Sequence, residues 1–502
     1  QVFVGAAYRI FNRITTTLGI QTQKCWQVSR GDNLSPIQSC EGIGNQHYFY
    51  VDNVFALFGT VAASLFFLGV LVSDSIFGGL VSVCGFFFNH GEATRVQWTP
   101  PLRESFGYPV FIFQIFIVTW FSAFALSTQV GSLFAAFILD FAPASTMFTI
   151  VFGLGFRPAY LLVNALLFCC GTLGIKVAIG RTLQIEDDAH IFDILRSKFS
   201  DFANFHTRLY TCAKEFDFLG SDYFSVVCKS LLLPSALVAF AVVVIYLCRT
   251  ELTSMLWRTG SRKKGYAELV YNTVQCICFG VIAGLIMRLK LFLTPHLCIM
   301  ASILANTRFI NQSFGIGLNK WHHRALVVGL IACMAYHGVE NLNKQWGIHG
   351  EYSNPDQEML FNWIQDETSP NAVFAGTMPV MANVKLSTNR PIVNHPHYED
   401  VNLRARTLKV YSMFSKKPLS EVYKTLKDMG VNYFIYQAGW CMAHPQRPEC
   451  SYRSMWDLED PKNRNRESLC DVISDALSGK RPDALSPMKV VYNQYNYVVF
   501  QL

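Results

Sequence analysis

Long uncharged stretches constrain this chain more than any other feature of its sequence. They run without Lys, Arg, Asp or Glu at 53–73, 75–89, 105–139, 141–156, 158–175, 230–248, 269–287, 291–307 and 325–339. About 20 predominantly apolar residues carry a helix across the hydrocarbon core of a bilayer. The stretch 105–139 is too long for one span and is read as two, with a break near Phe121–Ser122. The expectation is therefore about ten membrane spans. Only 15 % of the 502 residues are charged, against roughly 25 % in soluble domains. The charge is unevenly spread, however: residues 341–502 hold 18 Lys+Arg and 17 Asp+Glu, a soluble domain's density.

These patterns predict a polytopic α-helical membrane protein with an α+β C-terminal domain. Residues 1–50 form a polar loop segment, 51–339 the membrane domain with its loops, and 340–502 the soluble domain. A soluble single domain, an intrinsically disordered chain and a nucleic-acid-binding module are excluded. The net charge of +7 says little about partners, because membrane proteins carry surplus Lys and Arg in cytoplasmic loops. The chain begins at Gln1 rather than Met, and further segments are expected before it.

Orientation follows from the loops. Segment 249–267 carries Arg249, Arg258, Arg262, Lys263 and Lys264, and segment 308–324 carries Arg308, Lys320 and Arg324. Both are assigned to the cytoplasm. The opposite, lumenal side then receives 1–50, 90–104, 180–229, the turn at 288–290 and the tail. Cys25 and Cys40 flank a lumenal loop, which an oxidising compartment would close as a disulfide. Of the tail cysteines Cys441, Cys450 and Cys470, one is left over and is either free or bonded elsewhere, with Cys212 as a candidate partner. Asn33-Leu34-Ser35 is a candidate glycosylation site on the same side. Within the tail, helices are read at Gln357–Ile364 and Leu419–Met429. Strands are read at Ala372–Ala375, Tyr433–Tyr436 and Val490–Leu502.

Three lumenal segments carry unusual charge. In the loop Asn89–Phe106, Pro100 and Pro101 exclude regular helix before them. Arg95 and Arg103 there suit a phosphate, whereas mutual pairing with Glu92 and Glu104 is the structural alternative. Glu186-Asp187-Asp188-Ala189-His190 binds a divalent metal or a basic peptide, serves as a base, or caps the helix that follows. Arg288 and Lys290, with His296 in the next span, would hold a lipid phosphate or act as interfacial anchors. His395 and His397 lie in a Pro-broken loop of the tail without a third ligand, so no metal is expected.

These blocks resemble a known family. FFFNHGEATRVQWTPPLRESFGYP (Phe86–Pro109), EDDAHIFDILRSKF (Glu186–Phe199) and MRLKLFLTPHLCIMAS (Met287–Ser302) are similar to the "dumpy" tryptophan C-mannosyltransferases of the endoplasmic reticulum. So are MPVMANVKLSTNRPIVNHPHYEDVNLRART (Met378–Thr407) and KCWQVSRGDNLSPIQSCEG (Lys24–Gly42). The resemblance implies a C-type glycosyltransferase fold with a lumenal C-terminal domain. It implies dolichyl-phosphate-mannose as donor, with no further cofactor. The acceptor would be the first Trp of a Trp-x-x-Trp sequon in an unfolded or nascent polypeptide. It also implies a catalytic Glu in the first lumenal loop, expected before Gln1, so the catalytic base cannot be named in this chain.

Mannosyl transfer from a lipid phosphate calls for cations on the departing phosphate and a base for the indole proton. Arg95, Arg103, Arg288, Lys290 and His296 are assigned to the phosphate. Glu92, Trp98, Asp187, Asp188, His190, His397 and Tyr398 are the acceptor-binding candidates. The rival readings are another dolichyl-phosphate-sugar transferase and a membrane transporter with a lumenal domain. A transporter, though, places ionisable groups near the midplane of broken helices, and here they crowd one membrane face.

Overall fold

The computed structural model describes residues 2–29, 36–100, 102, 104–125, 190–246, 248, 267–348, 354–396, 400–442, 447–494 and 496–502, with isolated helical positions between 166 and 182. The chain divides into two compact units, Gln1–Ile175 with Asp217–His349, and Lys176–Phe216 with Gly350–Leu502. The sequence reading placed 180–229 among the loops of the membrane domain. Most of that segment instead joins the C-terminal unit, to which the Cys212–Cys450 disulfide ties it.

In the first unit, four helices among the described residues are long and apolar enough to span a membrane: Gln46–Ser73, Glu268–Leu285, Met287–Ala305 and Lys320–Trp346. A fifth span arises if Ser221–Lys229 and Leu232–Tyr246, bent by 81°, count as one. Two shorter apolar helices, Ile76–Phe88 and Glu104–Trp120, accompany them. The expected spans at 141–156 and at 126–139 lie outside the described residues, as does most of 158–175.

Local signals set the helix ends. Asn45 caps the first span by accepting from the His47 amide at 2.9 Å. That span stops at Asp74, which turns left-handed at φ 52°. Ser75 then caps the helix Ile76–Phe88, accepting from the Phe77 amide. Gly69 lets the two helices touch backbone to backbone, since a Cβ there would meet the Gly78 carbonyl oxygen at 2.6 Å. The uncharged stretch read as one span at 230–248 starts at a bend instead. Leu231 sits there at φ 57°, a conformation uncommon for a branched side chain.

Before the first span, the helix Val2–Thr17 lays Tyr8 and Phe11 on Phe49. Strands β1 (Lys24–Val28) and β2 (Ile37–Glu41) follow as an antiparallel hairpin with Cys25 directly opposite Cys40, and the two cysteines are bonded.

The second unit contains a four-stranded sheet in the order β3-β4-β6-β5, formed by Phe374–Gly376, Tyr433–Tyr436, Tyr497–Gln501 and Lys489–Gln494. β3 runs parallel to β4, and the remaining pairs are antiparallel. The run read as a single strand over 490–502 is two, β5 and β6, which pair antiparallel up to Gln494 opposite Tyr497, with Asn496 in the turn between them. Helices Pro355–Glu367, Met378–Thr388, Val401–Tyr411 and Leu419–Asp428 cover the sheet. Tyr411, Phe414, Phe434 and Phe500 are buried at the centre, and the Trp456 indole N–H donates to the Tyr411 carbonyl at 2.7 Å. A second disulfide of this unit joins Cys441 to Cys470.

Candidate active site

Residues 89–100 follow one apolar helix and precede another, and their start is held from both sides. Asn89, buried, donates to the Gly85 carbonyl and accepts from the Ser230 hydroxyl at 2.7 Å. Asn341 donates to the Phe88 carbonyl at 3.1 Å. Beyond a single helical turn at His90–Ala93, the chain proceeds by tight turns. The Arg95 carbonyl accepts from the Trp98 and Thr99 amides, and the Thr99 carbonyl from the Leu102 amide. This is the irregular backbone that the Pro pair demands. Regular helix resumes at Glu104, whose carboxylate sits favourably in the first turn.

The partner segment, 286–296, is fixed just as closely. The Met287 amide donates to the Asp217 carbonyl at 2.8 Å, and the Leu219 amide to the Gly284 carbonyl. Met287–Leu289 is one 3-10 turn, opening directly into the helix Lys290–Ser302. Pro295 within that helix has no N–H for the Leu291 carbonyl four residues earlier. The Tyr108 hydroxyl fills the gap, donating to Leu291 O at 3.0 Å. Thr294, fully buried, places its hydroxyl 3.0 Å from the Glu92 carbonyl oxygen and 3.0 Å from the Tyr223 hydroxyl.

These two frames bring five charges together across almost two hundred residues of sequence. Glu104 accepts from Arg95 Nε at 3.2 Å through one oxygen and from Arg288 Nε at 2.9 Å through the other, which Arg288 Nη2 also contacts. Lys290 Nζ pairs with Glu92 at 2.6 Å. Among the described residues, the cluster holds three cations and two carboxylates. Their side chains are 20–34 % exposed, so the cluster stays within reach of a ligand. His90 adds nothing to this charge, because burial lowers its pKa and favours the neutral imidazole.

The cluster unites Arg95, Arg288 and Lys290 of the cations assigned to phosphate. His296 is corrected: its ring is buried, with Nδ1 2.7 Å from the Phe292 carbonyl oxygen, Nε2 3.1 Å from the Gln275 side chain, and Phe279 against its face. Both nitrogens are engaged inside the helix bundle, which leaves neither for a phosphate. Of the acceptor candidates, Trp98 is 42 % exposed and Glu92 is committed to Lys290. His190 opens the helix His190–Phe199, but its side chain is outside the described residues. So are Arg103, Asp187, Asp188, His397, Tyr398 and Asn33. Sequence reasoning missed Glu104 as the bridge between the two arginines. No local signal could have revealed it, because Arg288 arrives from a segment 184 positions away. No group of three or more metal-ligating side chains occurs among the described residues.

An α-helical membrane protein with a solvent-reachable ionic cluster where apolar helices begin and end is the class that this geometry defines. The Dpy19 family profile, described as Q-cell neuroblast polarisation, matches residues 1–121 and 153–502. The C-mannosyltransferase dpy-19 of Caenorhabditis elegans is 48 % identical over 572 residues, covering 100 % of this chain and 83 % of that protein. The protein C-mannosyl-transferase DPY19L1 of Homo sapiens is 40 % identical, over 94 % of this chain and 80 % of its own length. The chain belongs to the Dpy19 family. The oligosaccharyltransferase of Archaeoglobus fulgidus aligns with 82 % of the chain at a TM-score of 0.42 and 9 % identity, too low to support an inference about fold.

Proposed function

We propose that the protein is a C-mannosyltransferase of the endoplasmic reticulum membrane. It moves mannose from dolichyl-phosphate-mannose to indole C2 of the first Trp in a Trp-x-x-Trp sequon. The observation that carries this reading is the joining of Arg95 and Arg288 through Glu104, with Lys290 beside them, at the ends of apolar helices. A lipid-linked phosphate has its tail in hydrocarbon and its charge at the membrane edge, which is where such cations can meet it. Guanidinium groups bind phosphate oxygens in a bidentate fork, and Arg103 is assigned to the same phosphate.

As the sugar leaves, negative charge grows on the phosphate. Cations fixed beside it stabilise that charge more than the ground state, so they lower the barrier rather than merely tightening binding. The polypeptide acceptor lies on the lumenal side, where Trp98, Asp187, Asp188, His190, His397 and Tyr398 are its candidate contacts. The Glu92 carboxylate neutralises Lys290 and is better placed to tune the cation than to hold acceptor.

Purified protein incubated with dolichyl-phosphate-mannose and a Trp-x-x-Trp peptide should give a hexose adduct that fragmentation maps to carbon on the indole. A sugar linked through hydroxyl or amide, or no adduct with any acceptor, would reject the reading.

A further inference from the structure

We propose that Glu104 sets the preference of the cluster for the sugar-loaded lipid over the spent one. The inference rests on the cluster being the donor-phosphate site. In the reaction, the bond between mannose C1 and the phosphate oxygen breaks with both electrons left on oxygen. C1 bonds to indole C2, and the C2 proton passes to a base. The donor is a phosphodiester with one negative charge. The lipid phosphate left behind is a monoester with a second pKa near 6, so it carries close to two charges at pH 7.

A pocket of cations alone would hold the product harder than the donor and would release it slowly. The cluster is not cations alone. Glu104 lies between Arg95 and Arg288, with one carboxylate oxygen on each. A ligand phosphate held by those guanidiniums is therefore a few ångströms from a fixed negative charge. Repulsion from that charge scales with the charge of the ligand. On a logarithmic scale, Glu104 opposes a dianion about twice as strongly as a monoanion. Glu92, paired to Lys290 at 2.6 Å, acts in the same sense from the other side. The carboxylates thus weaken the hold of the cations on any anion, and they weaken it more for the product than for the donor.

The test compares Glu104→Gln with wild type as the full chain in lipid nanodiscs. It reads donor KM and the Ki of dolichyl phosphate as a competing product. With the cluster partly exposed, removing one charge should lower donor KM about three- to tenfold. The Ki should fall by roughly the square of that factor, so that Ki/KM drops about three- to tenfold. Glu104→Asp keeps the charge and should keep the ratio. An unchanged ratio in Glu104→Gln overturns the proposal, as does a rise in both constants, which is what mere loss of arginine positioning would give. If Glu104→Gln does not fold, Glu92→Gln carries the same expectation and the same refutation. Arg95→Ala and Arg288→Ala separate the two levels of inference. If both leave KM and Ki unchanged, the cluster is not the donor site. If both raise the constants while the glutamine variants leave the ratio fixed, only the role of the carboxylates fails.

Discussion

Replacing Tyr108 with Phe removes one oxygen and little else. The ring is 7 % exposed, stacked on Phe58 at 5.8 Å and edge-on to Phe292 at 5.5 Å, contacts that Phe keeps. What goes is the 3.0 Å hydrogen bond to the Leu291 carbonyl, which Pro295 leaves without its helical donor. An orphaned buried carbonyl costs about 1–3 kcal/mol. Interhelical hydrogen bonds in membranes average nearer 0.6 kcal/mol, so the expected loss is about 1 kcal/mol. Pro295→Ala returns an amide N–H at position 295 that can bond Leu291 within the helix. In that background Tyr108→Phe should cost almost nothing. The coupling energy of the cycle should therefore be about 1 kcal/mol, about two to three times the scatter expected of independent sites. Equilibrium unfolding of the four proteins in one detergent measures it. An equal cost of Tyr108→Phe with and without Pro295 would refute the claim that the hydroxyl replaces the missing amide.

Arg288→Ala should lower turnover at saturating donor by a few hundredfold, the usual loss of about 3–4 kcal/mol for one transition-state charge contact. Arg288→Lys should recover only part of it, because a point charge cannot reproduce the fork that engages Glu104. Initial rates on folded variants decide both, and near-normal rates in Arg288→Ala would move the phosphate elsewhere. Replacing Cys25 and Cys40 by Ala frees a hairpin closed over 15 residues of separation, a loop-closure loss of about 3 kcal/mol. Limited proteolysis should cut within 24–41 well before the rest of the chain, and unchanged resistance would show that the bridge does not order the hairpin. Asn33 should carry an N-glycan and Asn311 should not: the Asn311 amide donates to the Leu318 carbonyl and accepts from its N–H, both at 3.0 Å. Glycopeptide mapping after expression in a secretory host reads both sites, and a glycan on Asn311 would reverse the assigned orientation.

What the sequence made legible were features written within a few residues. The uncharged stretches locate the helices Gln46–Ser73 and Ile76–Phe88, and Asp74-Ser75 marks the break because a charge and a cap residue stand together there. The Pro pair announces the irregular loop, the apolar run Tyr433–Tyr436 announces β4, and the Val- and Tyr-rich run 490–502 announces extended chain, though as one strand where the structure has two. The bend at Leu231 was not legible. Nothing in a run of leucines signals φ 57° or the 81° bend between the flanking helices. Side-chain partners across the bundle escaped for a related reason. His296 reads as a cation near a membrane edge, and only the position of Gln275 on a neighbouring helix turns it into a buried, fully bonded imidazole. Arg95 was legible as a cation, and two alternatives stood open for it, phosphate or Glu. The structure makes them compatible. Glu104 holds Arg95 and Arg288 together, and both guanidiniums stay partly exposed. A motif scan weighs each charge as either paired or functional. In this cluster pairing fixes the geometry of the guanidiniums, so the pairing that looked like the structural alternative also arranges the proposed site.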